Sequence, residues 1–240
     1  MVVSETQPLF HKVAFIGLGL IGSSLARVIQ AEGLATEVVA STRSAKTLQD
    51  AKALGLIQAG YTSAIDAVQD ADLVVLALPV QATEKVLVQI QPYLRADAIL
   101  TDVGSTKGNV VAAAQRVFGE NLPVGFVPGH PIAGSEHMGV YAGKVDLFAH
   151  HKVILTPLAT SADWAVEKLV VLWQAAKAEV ICMDVQKHDE VLAHTSHLPH
   201  LMAFNLVEQL ANREDNLDIF RYAAGGFRDF SRIAASDPQM

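Results

Sequence analysis

The chain has a single cysteine, Cys182, so no intrachain disulfide can form. The sequence suits a reducing compartment and is expected to be cytoplasmic. Basic residues are in the minority: 18 Lys and Arg against 25 Asp and Glu give a net charge of −7. No basic stripe appears, which argues against nucleic acid as the main partner. Long apolar runs are also missing. The longest strongly apolar stretch, residues 73–80, is far too short to span a bilayer, so no membrane partner is expected. The opening MVVSETQPLFHK lacks a basic region followed by an apolar one, so no signal peptide is expected. There is no internal repeat and no low-complexity linker. What is present is 51% hydrophobic and 18% charged, the composition of a globular core-former. At 240 residues the chain can hold one large domain, or one domain and a smaller one.

Short apolar runs alternate with helical patterns through the first three quarters. Strands are expected over 12–16, 37–41, 73–78, 98–102, 124–127, 151–156 and 179–183. Helices are expected over 21–32, 44–54, 64–70, 81–94, 106–118 and 162–176. This alternation implies a Rossmann-type, doubly wound parallel α/β sheet. From Gln186 to about Gln209 apolar residues recur at helical spacing and strand signals stop. A boundary is therefore placed near 185, with a dinucleotide-binding domain over 1–185. Residues 186–240 then begin an all-helical second domain. The chain stops at Asp237-Pro238-Gln239-Met240 with no end signal, and it reads as a truncated piece of a longer protein.

The most telling stretch is VAFIGLGLIGSSLA, residues 13–26. A buried strand runs directly into Gly17-Leu18-Gly19-Leu20-Ile21-Gly22 and then into a helix. Gly17 allows the tight turn, Gly19 lets a pyrophosphate approach the backbone, and Gly22 lets helix and strand pack closely. The N–H groups at the helix start, around Leu20 and Ile21, face the phosphates. A dinucleotide is expected here; a purely structural glycine turn is the alternative. NAD-binding folds usually carry an acid about twenty residues past the glycines, for the ribose 2′-hydroxyl. Thr42 stands there instead, followed by Arg43 and Ser44, with no acid until Asp50. Arg43 would pair with a 2′-phosphate and the two hydroxyls would donate to it, which favours NADP over NAD; a solvated loop arginine is the alternative.

Ligands of such sheets bind at the carboxyl ends of the strands, so the remaining loops matter. Leu78-Pro79 closes one strand, and that loop can pass under the cofactor or simply terminate the strand. In TDVGSTK, Ser105 can cap the following helix, and its hydroxyl can also lie near nicotinamide or substrate. The loop GHPIAGSE, too rich in Gly and Pro to be helix or strand, offers His130, Ser135 and Glu136 within seven residues. A histidine titrates near working pH, so His130 can take a hydroxyl proton as hydride leaves the same carbon; a purely structural histidine is the alternative. His188, His194, His197 and His200 look at first like a metal cluster. Pro199 interrupts the turn and no thiolate or HExxH accompanies them, so no metal is expected and a polar histidine face towards a cleft is preferred. Arg228 and Arg232 are i,i+4 on a helix and suit a dicarboxylate; pairing with Asp229 or Asp237 is the alternative.

Together GLGLIGSSLA, TDVGSTK, GHPIAGSE, SHLPH and GGFRDFSRIAASDP resemble the prephenate/arogenate dehydrogenase family of tyrosine biosynthesis, from Val13 to the last residue. The resemblance implies a nucleotide-binding domain and a helical domain that makes a homodimer. It implies oxidative decarboxylation of a cyclohexadienol, prephenate or arogenate, with hydride passing to NADP or NAD. It assigns His130 to the 4-hydroxyl and its proton, Ser105 to support of that hydroxyl, and Arg232 to the ring carboxylate. The resemblance also implies that His197, Ser135, Glu136 and Arg228 would line the substrate pocket. Some members are fused to another shikimate-pathway enzyme. Two other readings fit the glycine loop: a different NAD(P)-dependent dehydrogenase of this architecture, and a non-catalytic nucleotide-binding module. The first usually needs a catalytic lysine on the second domain's first helix, where Lys187 stands without a GGxxxK-like pattern.

Overall fold

The computed structural model describes residues 7–135, 137–213 and 216–235. In chain order the first elements are β1 (Phe10–Ile16), α1 (Leu20–Ala31), β2 (Ala35–Ser41), α2 (Ala45–Ala53) and β3 (Ala59–Tyr61). Next come α3 (Ala64–Val68), β4 (Leu73–Leu76), α4 (Thr83–Ile90), β5 (Ile99–Asp102) and α5 (Gly108–Phe118). The five strands form one parallel sheet in the order β3-β2-β1-β4-β5. The doubly wound arrangement expected from the sequence is therefore present.

The continuous apolar run of β1 follows from its place at the middle of this sheet. Val13 and Phe15 join one buried cluster, with Leu25, Ile29 and Trp173, while Ala14 and Ile16 join another, with Leu87, Ile90 and Val110. Alternate side chains of a strand point to opposite faces, so a strand covered on both faces needs apolar residues throughout. Each fully buried large side chain contributes about 1.5–3 kcal/mol of burial free energy.

The stretch from β5 to residue 182 departs from the expected pattern. β6 (Gly129–Pro131), β7 (Lys152–Leu155) and β8 (Glu179–Cys182) form a separate three-stranded sheet, with α6 (Asp163–Ala175) between β7 and β8. β6 runs antiparallel to β7, and β7 parallel to β8. The strand expected over 124–127 reduces to a single bridge, Leu100 to Phe126, beside β5. Conversely, the Gly-His-Pro segment expected to be neither helix nor strand is β6. It is an edge strand, and an edge tolerates the N–H that Pro131 lacks. β3 was not legible either: it has three residues and no apolar alternation, and pairing with β2 makes it a strand.

The chain divides into two compact units, Met1–His188 and Asp189–Met240. The first ends within α7 (Val185–Leu192), whose first turn is capped by Asp184: one carboxylate oxygen accepts from the N–H of Gln186 at 2.8 Å and of Lys187 at 3.1 Å. The second unit is helical throughout its described residues, with α8 (Leu198–Ala211), α9 (Asn216–Arg221) and α10 (Gly225–Ser231). A π-helical turn, Ala193–His197, precedes α8. Pro199 lies in the first turn of α8, where its missing N–H costs nothing, so the proline begins a helix rather than breaking one. Among the described residues no helix is long and apolar enough to cross a membrane.

The turn out of β1 imposes the sharpest steric demand. Gly17 has φ +95°, and a Cβ there would stand 2.1 Å from the carbonyl oxygen of Ala77 at the end of β4. Gly19 is different: nothing lies within 4 Å of where its Cβ would be. We therefore expect Gly17→Ala to destabilise the protein by about 2–4 kcal/mol. Gly19→Ala stays within about 0.5 kcal/mol of the parent. Urea denaturation of both variants checks this, and an unmoved midpoint for Gly17→Ala contradicts it.

Candidate active site

The carboxyl ends of β1, β4 and β5 lie side by side, because Ile16 pairs with Leu76 and Leu76 with Asp102. Three loops leave from this edge. The glycine loop leads into α1, whose N-cap is Gly19 with no side-chain cap. The first N–H groups of any helix lack intrahelical acceptors, and those of Leu20, Ile21 and Gly22 sit at an opening that the open space over Gly19 keeps clear. A Cβ on Gly22 would lie 2.9 Å from the Gly17 carbonyl oxygen, so close packing of helix on turn does require glycine. The Leu20 and Ile21 side chains pack towards the core, leaving their backbone as the part that faces a ligand.

The second loop carries half-buried Leu78 and exposed Pro79 into a short 3₁₀ turn, Val80–Ala82. The third carries Ser105. Its expected capping role is not found: α5 begins at Gly108, with Lys107 at the N-cap position and no side-chain cap. Ser105 is exposed, and a Cβ on Gly104 beside it would come 2.8 Å from the Val80 side chain, so the second and third loops abut.

A buried network then ties the third loop to β6. One oxygen of Asp102, Oδ2, accepts from the Gly104 N–H at 2.8 Å and from the Lys107 ammonium. The other, Oδ1, accepts from the Gly129 N–H at 3.2 Å. Lys107 Nζ also donates to the Gly129 carbonyl at 2.6 Å. The Lys107 and Asp102 side chains are 0% and 3% exposed. Both backbone groups of Gly129 are thus held, and the next residue is His130. Neither Asp102 nor Lys107 was singled out from the sequence, although both stand inside TDVGSTK.

His130 is half-buried on β6, opposite Ile154 of β7. Its Nδ1 lies 2.9 Å from Nε2 of His188 on α7, with the rings edge-on at 5.2 Å between centroids. His188 is fully buried, whereas His194 is exposed and His197 and His200 are half-buried. Ser135 is half-buried and accepts from the His137 N–H at 3.3 Å; Glu136 lies outside the described residues. Further along, Gly143 packs against Ser23, and Ser24 Oγ accepts from the Lys144 N–H at 3.0 Å. The segment after Ser135 is thereby anchored on α1, just behind the glycine loop.

At the end of β2, the Thr42 hydroxyl donates to the Ser44 carbonyl at 3.0 Å and accepts from the Ser44 N–H at 3.1 Å. Ser44 Oγ caps α2 by accepting from the Thr47 N–H at 3.2 Å. The Thr42 proton is thus already committed, while exposed Arg43 holds no ion pair among the described residues. In the second unit, half-buried His197 closes the π-helical turn. Exposed Arg228 is on α10 and exposed Arg232 caps its C-terminus. Neither arginine is ion-paired among the described residues, so the Asp229 pairing is not formed; Asp237 lies outside them. The described residues hold no group of three or more His, Cys, Asp or Glu side chains placed for a metal.

Two family models match the chain. One, the prephenate dehydrogenase nucleotide-binding domain, covers residues 25–182; the other, the prephenate dehydrogenase dimerization domain, covers 184–240. A cyclohexadienyl dehydrogenase of Zymomonas mobilis is 40% identical over 234 residues, spanning 96% of this chain and 78% of that protein. A prephenate dehydrogenase of Bacillus subtilis is 37% identical over 95% of this chain, which spans 62% of that protein. The crystal structure of prephenate dehydrogenase from A. aeolicus, in complex with hydroxyphenyl propionate and NAD+, superposes with a TM-score of 0.86. It is 34% identical, over 95% of this chain and 79% of that one.

The Asp102–Lys107 pair generates a direct expectation. Removing one member leaves the other charge buried without it, which costs about 3–5 kcal/mol. Lys107→Met and Asp102→Leu should each lower stability by that amount in urea denaturation. The double substitution should recover part of the loss. Additive losses in the double variant contradict the pairing.

Proposed function

The chain belongs to the prephenate dehydrogenase family, and on that premise we propose that it oxidatively decarboxylates prephenate or arogenate with NAD(P)+. The products are 4-hydroxyphenylpyruvate or tyrosine, and the step belongs to tyrosine biosynthesis in the cytoplasm. The observation that carries this reading is the buried link from Asp102 and Lys107 to Gly129. It holds the His130 strand against the Ser105 loop at the carboxyl ends of β4 and β5, beside the glycine loop. That edge is where nucleotide folds bind their ligands.

The bound nicotinamide supplies the hydride acceptor. His130 hydrogen-bonds the 4-hydroxyl and takes its proton as hydride leaves the same carbon. Ser105 supports that hydroxyl. Arg232 holds the ring carboxylate through charge-assisted bonds, and His197, Ser135, Glu136 and Arg228 line the substrate pocket. Loss of the ring carboxylate as CO2 makes the product aromatic. That gain supplies the driving force, so the protein has mainly to orient ring and hydroxyl. The N–H groups of Leu20, Ile21 and Gly22 would hold the pyrophosphate, and Leu78 and Pro79 would flank the cofactor.

Between the two nicotinamide cofactors we assign NADP+ as preferred. The support is local: no acid follows β2 until Asp50, and Arg43 is exposed without an ion pair among the described residues, available to a 2′-phosphate. The A. aeolicus relative was solved with NAD+, so this preference separates the two proteins. A homodimer forms through the helical domain. The match to the dimerization model supports this, as do Leu198, Leu201 and Met202, left 47%, 66% and 54% exposed on α8.

Initial rates with prephenate and with arogenate, each against NAD+ and NADP+, test this reading. Turnover is expected with at least one substrate, and faster with NADP+; no turnover in any combination overturns it. His130→Asn should lower kcat by about 10²–10⁴-fold while cofactor affinity stays within a few-fold. Arg43→Ala should weaken NADP+ binding by roughly ten- to a hundredfold and leave NAD+ unchanged. Equal loss for both cofactors removes Arg43 from its role.

A further inference from the structure

Resting on the reading of His130 above, we infer that His188 is a positioning residue of the active site, the second member of a histidine dyad that fixes the ring and tautomer of His130. The two residues are 58 positions apart and are brought together by the smaller sheet. β6 places His130 opposite Ile154 on β7, and β7 pairs with β8 as far as Cys182. Met183 then bonds Leu155, the Asp184 carboxylate caps α7, and the His188 N–H donates to the Asp184 carbonyl at 2.8 Å. One turn into the helix, the His188 ring meets His130 with Nε2 at 2.9 Å from Nδ1.

His188 is fully buried, and a buried polar ring costs free energy unless it is hydrogen-bonded. Two imidazoles joined nitrogen to nitrogen share one proton between them, so the state of each dictates the other. With Nδ1 engaged, the nitrogen that meets the substrate hydroxyl is Nε2. When the hydroxyl gives its proton to Nε2, the hydride and its electron pair go to the oxidised nicotinamide. His130 is then an imidazolium and its Nδ1–H must donate. His188 answers by accepting at Nε2, with its own proton on Nδ1. A neutral acceptor supplies the orientation that a carboxylate gives in other catalytic dyads, without adding a buried negative charge.

The test is a set of four variants: His130→Asn, His188→Leu, His188→Gln and the double His130→Asn/His188→Leu. Glutamine can place an amide oxygen near where Nε2 stood; leucine cannot accept. A misplaced catalytic group costs on the order of 10²-fold, so His188→Leu should lower kcat by that factor with KM for substrate and cofactor within about threefold. His188→Gln should recover to within about tenfold of the parent. The double variant should be no slower than His130→Asn alone, because the two act as a unit. A His188→Leu enzyme with parental kcat, or a double variant with multiplied losses, overturns the dyad. If His130→Asn itself leaves kcat unchanged, it is the role of His130 that fails. Scalar coupling between the two ring nitrogens in 15N-histidine spectra of the parent protein reads the hydrogen bond without turnover or substitution. Its absence overturns the dyad.

Discussion

A lysine ammonium with no solvent must keep a negative partner, and the site is built around that demand. Lys107 and Asp102 neutralise each other inside the protein, and between them they hold both backbone groups of Gly129. The cost of desolvating the pair is offset only when the remaining bonds are made. The loop after β5 and the start of β6 therefore cannot drift apart without exposing a buried charge. This constraint joins the large parallel sheet to the small mixed one. It also fixes the backbone of Gly104, next to Ser105, and of Gly129, next to His130.

The glycine loop supplies the second constraint. Gly17 turns under the carbonyl of Ala77, and Gly22 packs on Gly17, so the helix start is held against β4. Gly19, between them, faces open space. Three glycines in one motif thus serve two purposes: two satisfy the chain's own packing and one clears a surface for a ligand. The segment beyond Ser135 returns to α1 at Ser23 and Ser24, so the histidine loop is tied to the nucleotide helix at its far end as well.

The parallel sheet was legible because its strands are apolar on both faces and its glycines are spaced for a turn, features that local sequence carries. What escaped notice depended on distant partners. β3 has no pattern of its own and becomes a strand through β2. Gly129–Pro131 reads as a loop until β7 lies beside it. Ser105 looked like a helix cap because a serine before a helix often is one, yet the helix starts later, with Lys107 drawn inward to Asp102. His188 sat among other histidines at helical spacing, and nothing local distinguishes it from them. Only the route from β6 through β7 and β8 to α7 brings it to His130. Local patterns located the loops that bear chemistry, while the bonds that orient them are long-range.

The chain belongs to the prephenate dehydrogenase family, and the proposed reading adds to that a glycine loop open to a dinucleotide and a His130 whose ring bonds His188 and whose neighbour Gly129 is held by Lys107. The central claim is that hydride transfer and loss of the ring carboxylate belong to one reaction. Its most direct measurement uses substrate carrying a labelled ring carboxylate, counting labelled CO2 against reduced cofactor. The account predicts one CO2 for each reduced nicotinamide, with an aromatic product. Reduced cofactor without CO2, or a product that keeps the label, would contradict it.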